Sequence, residues 1–234
     1  MNSYSYSKIA LFNKCPFKYF KRYIERAETF KDSPVFEKGQ YLHALLEHYP
    51  ALPEFTFKFK EIEDKRMEMI EFIANLVKTN SAVKYLLSKD VKITAEQEFF
   101  LTADACSASG YNDSMFNGKI DYVGKTADGT IILVDWKSGL TQRGASLDQL
   151  KFYTMWAFSH FKNINKVKLY LYFIEQKIFV TEEIDRDAGQ VILNKYVKKV
   201  EEIESTTEFD IRRTDECIYC QYLTDCNRIK IKGN

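Results

Sequence analysis

The chain has 234 residues with 34 basic and 33 acidic side chains, a formal net charge of +1, and is 45% hydrophobic and 29% charged. That is enough chain for one large domain with a real core or two small ones, at the composition of an ordinary soluble globular protein. The balanced charge carries no global sign of a nucleic-acid partner, no apolar run reaches the length of a membrane span, and Met1-Asn2-Ser3-Tyr4 lacks a signal peptide's apolar segment; a cytoplasmic protein with no membrane partner is expected.

Ser5 or Ser7 can cap a first helix running to Lys14, and Cys15-Pro16 breaks it, with Pro16 suited to the first turn of a second helix. Aromatic and basic residues interleave here, from Phe12 and Lys14 through Tyr19, Lys21 and Arg22 to Arg26. That pattern serves a single-stranded nucleic-acid grip or an amphipathic helix with a basic outer face. A third helix is predicted from Ser33-Pro34 to before Pro50, with His43 and Glu47 four apart and so on one face. A histidine there is either a hydrogen-bonded core residue or a ligand for a manganese-like ion. The segment from Glu61 to Leu87 reads as one or two packing helices. Val91 to Leu101 reads as a strand with Glu96 and Glu98 on a common face, followed by a polar loop that contains Cys106.

The central stretch, Gly118 to Gly139, reads as two strands joined by a tight turn, each with one acid in an apolar run: Asp121 and Asp135. A two-residue turn at Asp128-Gly129 would set Asp121 against Trp136. A three-residue loop, Ala127-Asp128-Gly129, sets Thr126 against Thr130 and Asp121 against Asp135, with Gly129 supplying the positive φ that such a loop needs. Opposed Cβ atoms would then lie about 5 Å apart, close enough for two carboxylates to share a cation. Lys137 follows Asp135 by two and shares its face. An ion pair at a strand end is the plainer reading of Asp135 and Lys137.

Ser146-Leu147-Asp148-Gln149 matches a capping box opening a helix to about Phe161, in which Gln149 and Tyr153 share a face. Val167–Ile174 and Ile178–Ile184 read as antiparallel strands, and Asp185 can cap a helix running to about Glu204. The order helices, strand, hairpin, helix, two strands, helix predicts a three-layer α/β domain around a mixed sheet.

Five cysteines fit a disulfide framework poorly in an intracellular chain. Cys217, Cys220 and Cys226 form C-x2-C-x5-C, three ligands of a zinc or iron–sulfur site; Cys15 is the natural fourth, and free thiols are the remaining option.

These features together resemble the RecB-type iron–sulfur branch of the PD-(D/E)XK nuclease superfamily, including AddB-like recombination nucleases, small CRISPR-adaptation nucleases and related phage proteins. The resemblance rests on Ser5-Tyr6-Ser7 through Cys15-Pro16, Gly39-x-x-x-His43-x-x-x-Glu47, Gly118-Lys119-Ile120-Asp121, Asp135-Trp136-Lys137, Gln149-x-x-x-Tyr153 and the terminal cysteines, in the family's order. It implies a restriction-endonuclease-like core, with N- and C-terminal segments joined by a cysteine-ligated cluster. The organisation implied is a single nuclease domain over 1–234, its core sheet at 91–184 and its cluster region formed by 1–32 and 205–234. It further implies His43, Asp121, Asp135 and the Trp136 carbonyl as ligands for Mg²⁺ or Mn²⁺, Lys137 as the catalytic lysine, and Gln149 and Tyr153 as positioning groups. Cys15, Cys217, Cys220 and Cys226 would hold a 4Fe-4S cluster, with structural Zn²⁺ as the alternative.

The function expected is a metal-dependent DNA nuclease, a single-stranded exonuclease, with a possible protein partner in a recombination, replication or CRISPR-adaptation complex. The rivals are a non-catalytic nucleic-acid-binding module with structural zinc and a nickase or endonuclease subunit of a larger assembly.

Overall fold

The computed structural model describes residues 3–27, 33–139 and 146–231. Residues 1–2, 28–32 and 232–234 of the expected cluster region lie outside the described residues. The chain divides into two compact units: Ser3 with 33–194, and 4–27 with 195–231 among the described residues.

The first unit is built on five strands, β1 (Lys92–Leu101), β2 (Phe116–Lys125), β3 (Ile131–Lys137), β4 (Lys166–Phe173) and β5 (Ile178–Asp185), in spatial order β1-β2-β3-β4-β5. All pairings are antiparallel except β3 with β4, which run parallel. A parallel pair needs a long crossover, and helix α7 (Asp148–His160) lies within it. The centre of the sheet falls where the sequence is most continuously apolar: Ile131 to Trp136 are all buried. The outcome is an α/β fold with a mixed sheet flanked by helices, consistent with a restriction-endonuclease-like core.

Helix α3 (Pro34–His48) begins at the predicted cap, where Ser33 Oγ accepts the Phe36 N–H. Its buried Tyr41, Leu42, Leu45 and Leu46 share one core with Tyr122, Val134 and Trp136 of the sheet. Buried Glu37 accepts the backbone N–H groups of Lys58 and Phe59 at 2.6 and 3.0 Å, fixing the chain that leaves the helix. The stretch 61–87 forms three helical pieces rather than one or two: α4 (Lys60–Glu63), α5 (Arg66–Thr79) and α6 (Ser81–Leu86). Asn80 divides the last two by leaving the helical conformation and capping the next helix through the Ala82 and Val83 N–H groups.

The β2–β3 turn has the predicted register. Thr126 N–H donates to the Thr130 carbonyl, Gly129 N–H donates to the Thr126 carbonyl, and Gly129 sits at φ +84°. Tyr122 pairs with Val134 and Val123 with Leu133, so the next pair along is Asp121 with Asp135. The capping box at Ser146 is a correction. Ser146 Oγ accepts from Asp148 N–H, but Gln149 does not bond back to the cap; it is held by other groups.

The second unit contains α1 (Tyr6–Lys14), capped by Ser5, and α2 (Pro16–Tyr19), which continues as a single π turn, Phe20–Ile24. Of the interleaved aromatics, Phe12, Phe17 and Tyr19 are buried, and Phe12, Tyr19 and Phe20 all meet Phe209. These rings serve packing, as an amphipathic helix requires. The unit also holds the distal part of α8 (Arg186–Ser205), a 3-10 turn at Asp215–Tyr219, and α9 (Leu223–Ile231). Among the described residues no helix is long and apolar enough to cross a membrane.

Candidate functional site

The first unit places the predicted acids, lysine and histidine together, and the place is the end of the β2–β3 ladder. Backbone pairing between these strands stops at Tyr122–Val134. In place of the next ladder bond, Asp121 Oδ2 accepts the Trp136 N–H at 2.9 Å. His43 on α3 brings Nδ1 to 3.5 Å from the same Asp121 oxygen, and the Trp136 backbone lies beside the imidazole. Imidazole, carboxylate and peptide backbone are thereby gathered around one point. Helix α3 comes this near the strand end at Gly39, where an added Cβ would stand 2.7 Å from Ser138 Oγ. This accounts for a glycine one turn before the histidine.

Asp135 is 3% exposed. Its Oδ2 lies 2.6 Å from Lys137 Nζ, an ion pair in distance, but the buried oxygen has no donor in hydrogen-bonding alignment. Burial drives both carboxyls to about 6; in Asp121 the Trp136 N–H and Lys137 work against it, and in Asp135 Lys137 does so while Asp121 adds to it. Burial also lowers the pKa of His43, favouring the neutral imidazole that metals bind. A buried acid pair with an incompletely satisfied oxygen beside a neutral imidazole is a donor set suited to Mg²⁺ or Mn²⁺, and the residues fit that ion.

Lys137 is oriented from α7. Its Nζ donates to Gln149 Oε1 at 3.2 Å, and Gln149 Nε2 donates to Tyr153 Oη at 2.7 Å. Tyr153 is buried, and that burial holds its phenol well above its ordinary pKa, so it stays neutral. Its ring reaches this position because Gly118 has no side chain: a Cβ there would lie 2.9 Å from Tyr153 and 2.7 Å from Phe99.

A groove of about 820 Å³ opens at His43 and Asp121, lined also by Phe36, Glu47, Glu96 and Lys119 among others. Of these, Phe36, Glu47, Glu96 and Lys119 were not assigned a role from the sequence. His43, Glu96 and Asp121 each offer a ligand atom within 4.8 Å of the others, and Lys119 Nζ forms an ion pair with Glu96. The available signal for Glu96 was its acidic position on the strand next to Asp121, visible once β1 was paired with β2.

In the second unit, Cys15, Cys217, Cys220 and Cys226 line one cavity of about 30 Å³, while Cys106 is exposed on the loop after β1. Cys15 Sγ accepts the Lys18 N–H at 3.5 Å and Cys217 Sγ accepts the Thr214 N–H at 3.2 Å. Burial raises the Cys226 thiol, and Cys15, Cys220 and Cys217 raise it further. Four thiols on one cavity, two of them accepting backbone N–H groups, have the chemistry of a metal-ligand set. No three of these sulfurs lie within 4.8 Å of one another.

No curated protein matches the chain. A solved chain described as the crystal structure of SSO0001 is similar at 16% sequence identity, covering 90% of this chain and 94% of that one, with a TM-score of 0.33, too low to carry an argument. The profile of the PD-(D/E)XK nuclease superfamily matches residues 3–227, and the chain belongs to that superfamily of metal-dependent nucleases acting on DNA.

Proposed function

We propose that this nuclease is an exonuclease acting on single-stranded DNA ends, with Asp121, Asp135, His43 and the Trp136 carbonyl holding Mg²⁺ or Mn²⁺. The observation that carries the reading is the meeting of Asp121 and Asp135 across the hairpin, beside His43 and the amine of Lys137. A bound divalent ion supplies Lewis-acid polarisation of the phosphate and makes a water acidic enough to attack it. The chain supplies the rest. Lys137, drawn toward Gln149, presents its ammonium where charge builds on the phosphate oxygens, and Tyr153 fixes Gln149 from behind. The preference for unpaired DNA is supported by Phe36, 61% exposed on the wall of the same groove, a face on which a base can stack.

In the second unit the reading places a 4Fe-4S cluster on Cys15, Cys217, Cys220 and Cys226. The C-x2-C-x5-C spacing, with Cys15 on the same cavity, supports that reading, and structural zinc on the same thiols is the alternative. Such a cluster stabilises the unit and takes no part in hydrolysis.

End-labelled single- and double-stranded DNA, incubated with Mg²⁺ or Mn²⁺, tests the activity. Mononucleotides released from single strands are expected; internal nicks would give the nickase or endonuclease reading, and no cleavage with either ion would leave the binding-module reading. Anaerobic protein should be brown with broad absorbance at about 400 nm, and one zinc in colourless protein would replace the cluster.

A further inference from the structure

We propose that the cleft between helices α3 and α5 is a binding site for a nucleoside monophosphate, the class of product that end-wise DNA hydrolysis releases. The link to the product rests on the exonuclease reading above; the site itself is read from the cleft alone.

Helix α3 has two adjacent faces with different neighbours. Gly39 and His43 line the groove described above, while Lys38 and Leu42, one position earlier in each turn, line a second cavity of about 350 Å³. The floor of this cleft is apolar and belongs to the core. Leu42 of α3 and Met69 of α5 are buried there, and half-buried Phe72 of α5 packs against the same cluster. A volume of that size lies at the lower end of the ~300–1,000 Å³ that small-molecule sites occupy. A partner helix, ~10–12 Å across with its side chains, would not enter it.

The charged groups stand at the mouth. Lys38 Nζ is paired with Glu175 Oε1 at 2.7 Å, which joins α3 to the turn after β4. Lys65 and Glu68 lie three residues apart at the start of α5, both exposed, and among the described residues neither has an ion-pair partner. Opposite charges at that spacing can meet on a helix; here both line the cleft instead.

A nucleotide matches this arrangement group by group. Its base offers a flat face to Phe72 and to the Met69 thioether. Its phosphate meets the ammonium of Lys65 with Lys38 beside it, and Glu68 accepts from an exocyclic amine or a sugar hydroxyl. A fatty chain would use the floor and none of the mouth. The cleft also stands next to the strand end that carries Lys137: Ile174, the residue before Glu175, donates its N–H to the Lys137 carbonyl at 2.9 Å. A nucleotide freed in the groove thus has this cleft one helix away.

Calorimetry with dAMP on the full chain in EDTA tests the site with no contribution from a metal-bound phosphate. Saturable binding is expected. Lys65→Glu, a surface change, should weaken it by about 10-fold or more, and Phe72→Ala should weaken it by about 10-fold through lost stacking. Phe72→Leu keeps an apolar side chain in the floor and serves if the alanine form does not fold. His43→Ala, in the groove, should leave binding unchanged, and inorganic phosphate should bind by about 10-fold more weakly than dAMP because it brings no base. Absence of dAMP binding at millimolar concentration, binding indifferent to Lys65→Glu and Phe72→Leu, or phosphate binding as tight as that of dAMP would each overturn the proposal, while a wild type that still cleaves DNA leaves the nuclease reading standing. Conversely, dAMP held in this cleft by a protein that makes only internal cuts would keep the site and overturn the exonuclease reading.

Discussion

Two regions of this molecule gather groups that repel one another, and they are supported differently. In the first unit, Glu96, Asp121 and Asp135 are carried by three neighbouring strands, so their spacing follows from the ladder. Around the cysteine cavity the thiols come from a helix cap, a 3-10 turn and the last helix, segments joined by few regular bonds. The sheet can hold its acids in place whatever is bound, at a cost in stability. The cysteines, on the reading given above, depend on their ligand to stay together. On that reading the first region is preorganised chemistry and the second is stability supplied from outside the chain.

The sharpest way to break this contrast is Asp135→Asn. Cleavage should fall by about 10³-fold or more, equivalent to several kcal/mol of lost Lewis-acid stabilisation, while the melting temperature measured in EDTA should hold or rise. A variant that loses activity by unfolding would mean that the row of acids is part of the scaffold. Cys226→Ser should do the reverse, lowering the melting temperature on the order of 10 °C if metal-coupled folding supplies several kcal/mol at roughly 2–4 °C each. Iron content should fall with it, and a melting temperature that does not move would leave the cavity without a structural role.

A smaller effect is expected one step back from the ion. Gln149→Ala removes the acceptor that orients Lys137 and should lower kcat by about 10–100-fold with little change in KM. Tyr153→Phe, which deletes only the group behind Gln149, should do less. A change confined to KM in steady-state assays would move both residues to substrate binding.

The smallest expected effect is on pH dependence. Asp121 and Asp135 titrate at about 6 when folded against an ordinary 3.8, so folding takes up protons. The stability they contribute is complete below 3.8 and lost as pH rises through 6. Metal-free protein should therefore melt a few degrees higher at pH 5 than at pH 7, with His43, lowered by burial, opposing part of the gain. Saturating Mn²⁺ should flatten or invert that slope in calorimetric scans.

Much of this arrangement was legible in the sequence because it depends on local rules. The hairpin register follows from the length of one turn and a glycine, and the starts of α1 and α3 follow from Ser5 and Ser33. What was not legible depends on partners distant in the chain. By local pattern alone Gln149 looked like a helix cap, and only the resemblance made it a positioning group; Lys137 and Tyr153 hold its amide. Glu96 looked like one of two acids on a strand face until the pairing with β2 and an unusual φ directed it to His43. The aromatic run near the amino terminus suited an amphipathic helix first and DNA second, and Phe209, some two hundred residues away, places its rings in a core.

The three-residue turn at Ala127-Asp128-Gly129 lies far from any chemistry, about 16 Å along the strands from Asp121 at roughly 3.3 Å per residue. Its side chains are open to drift, but its length acts as a gauge for the groove. Substitutions at the tip should be tolerated widely so long as Gly129 is kept, whereas a slip of the pairing by one residue would present Val134 or Trp136 to the cation in place of a carboxylate. Such a slip would yield a protein that still builds its sheet and has nothing to cut with.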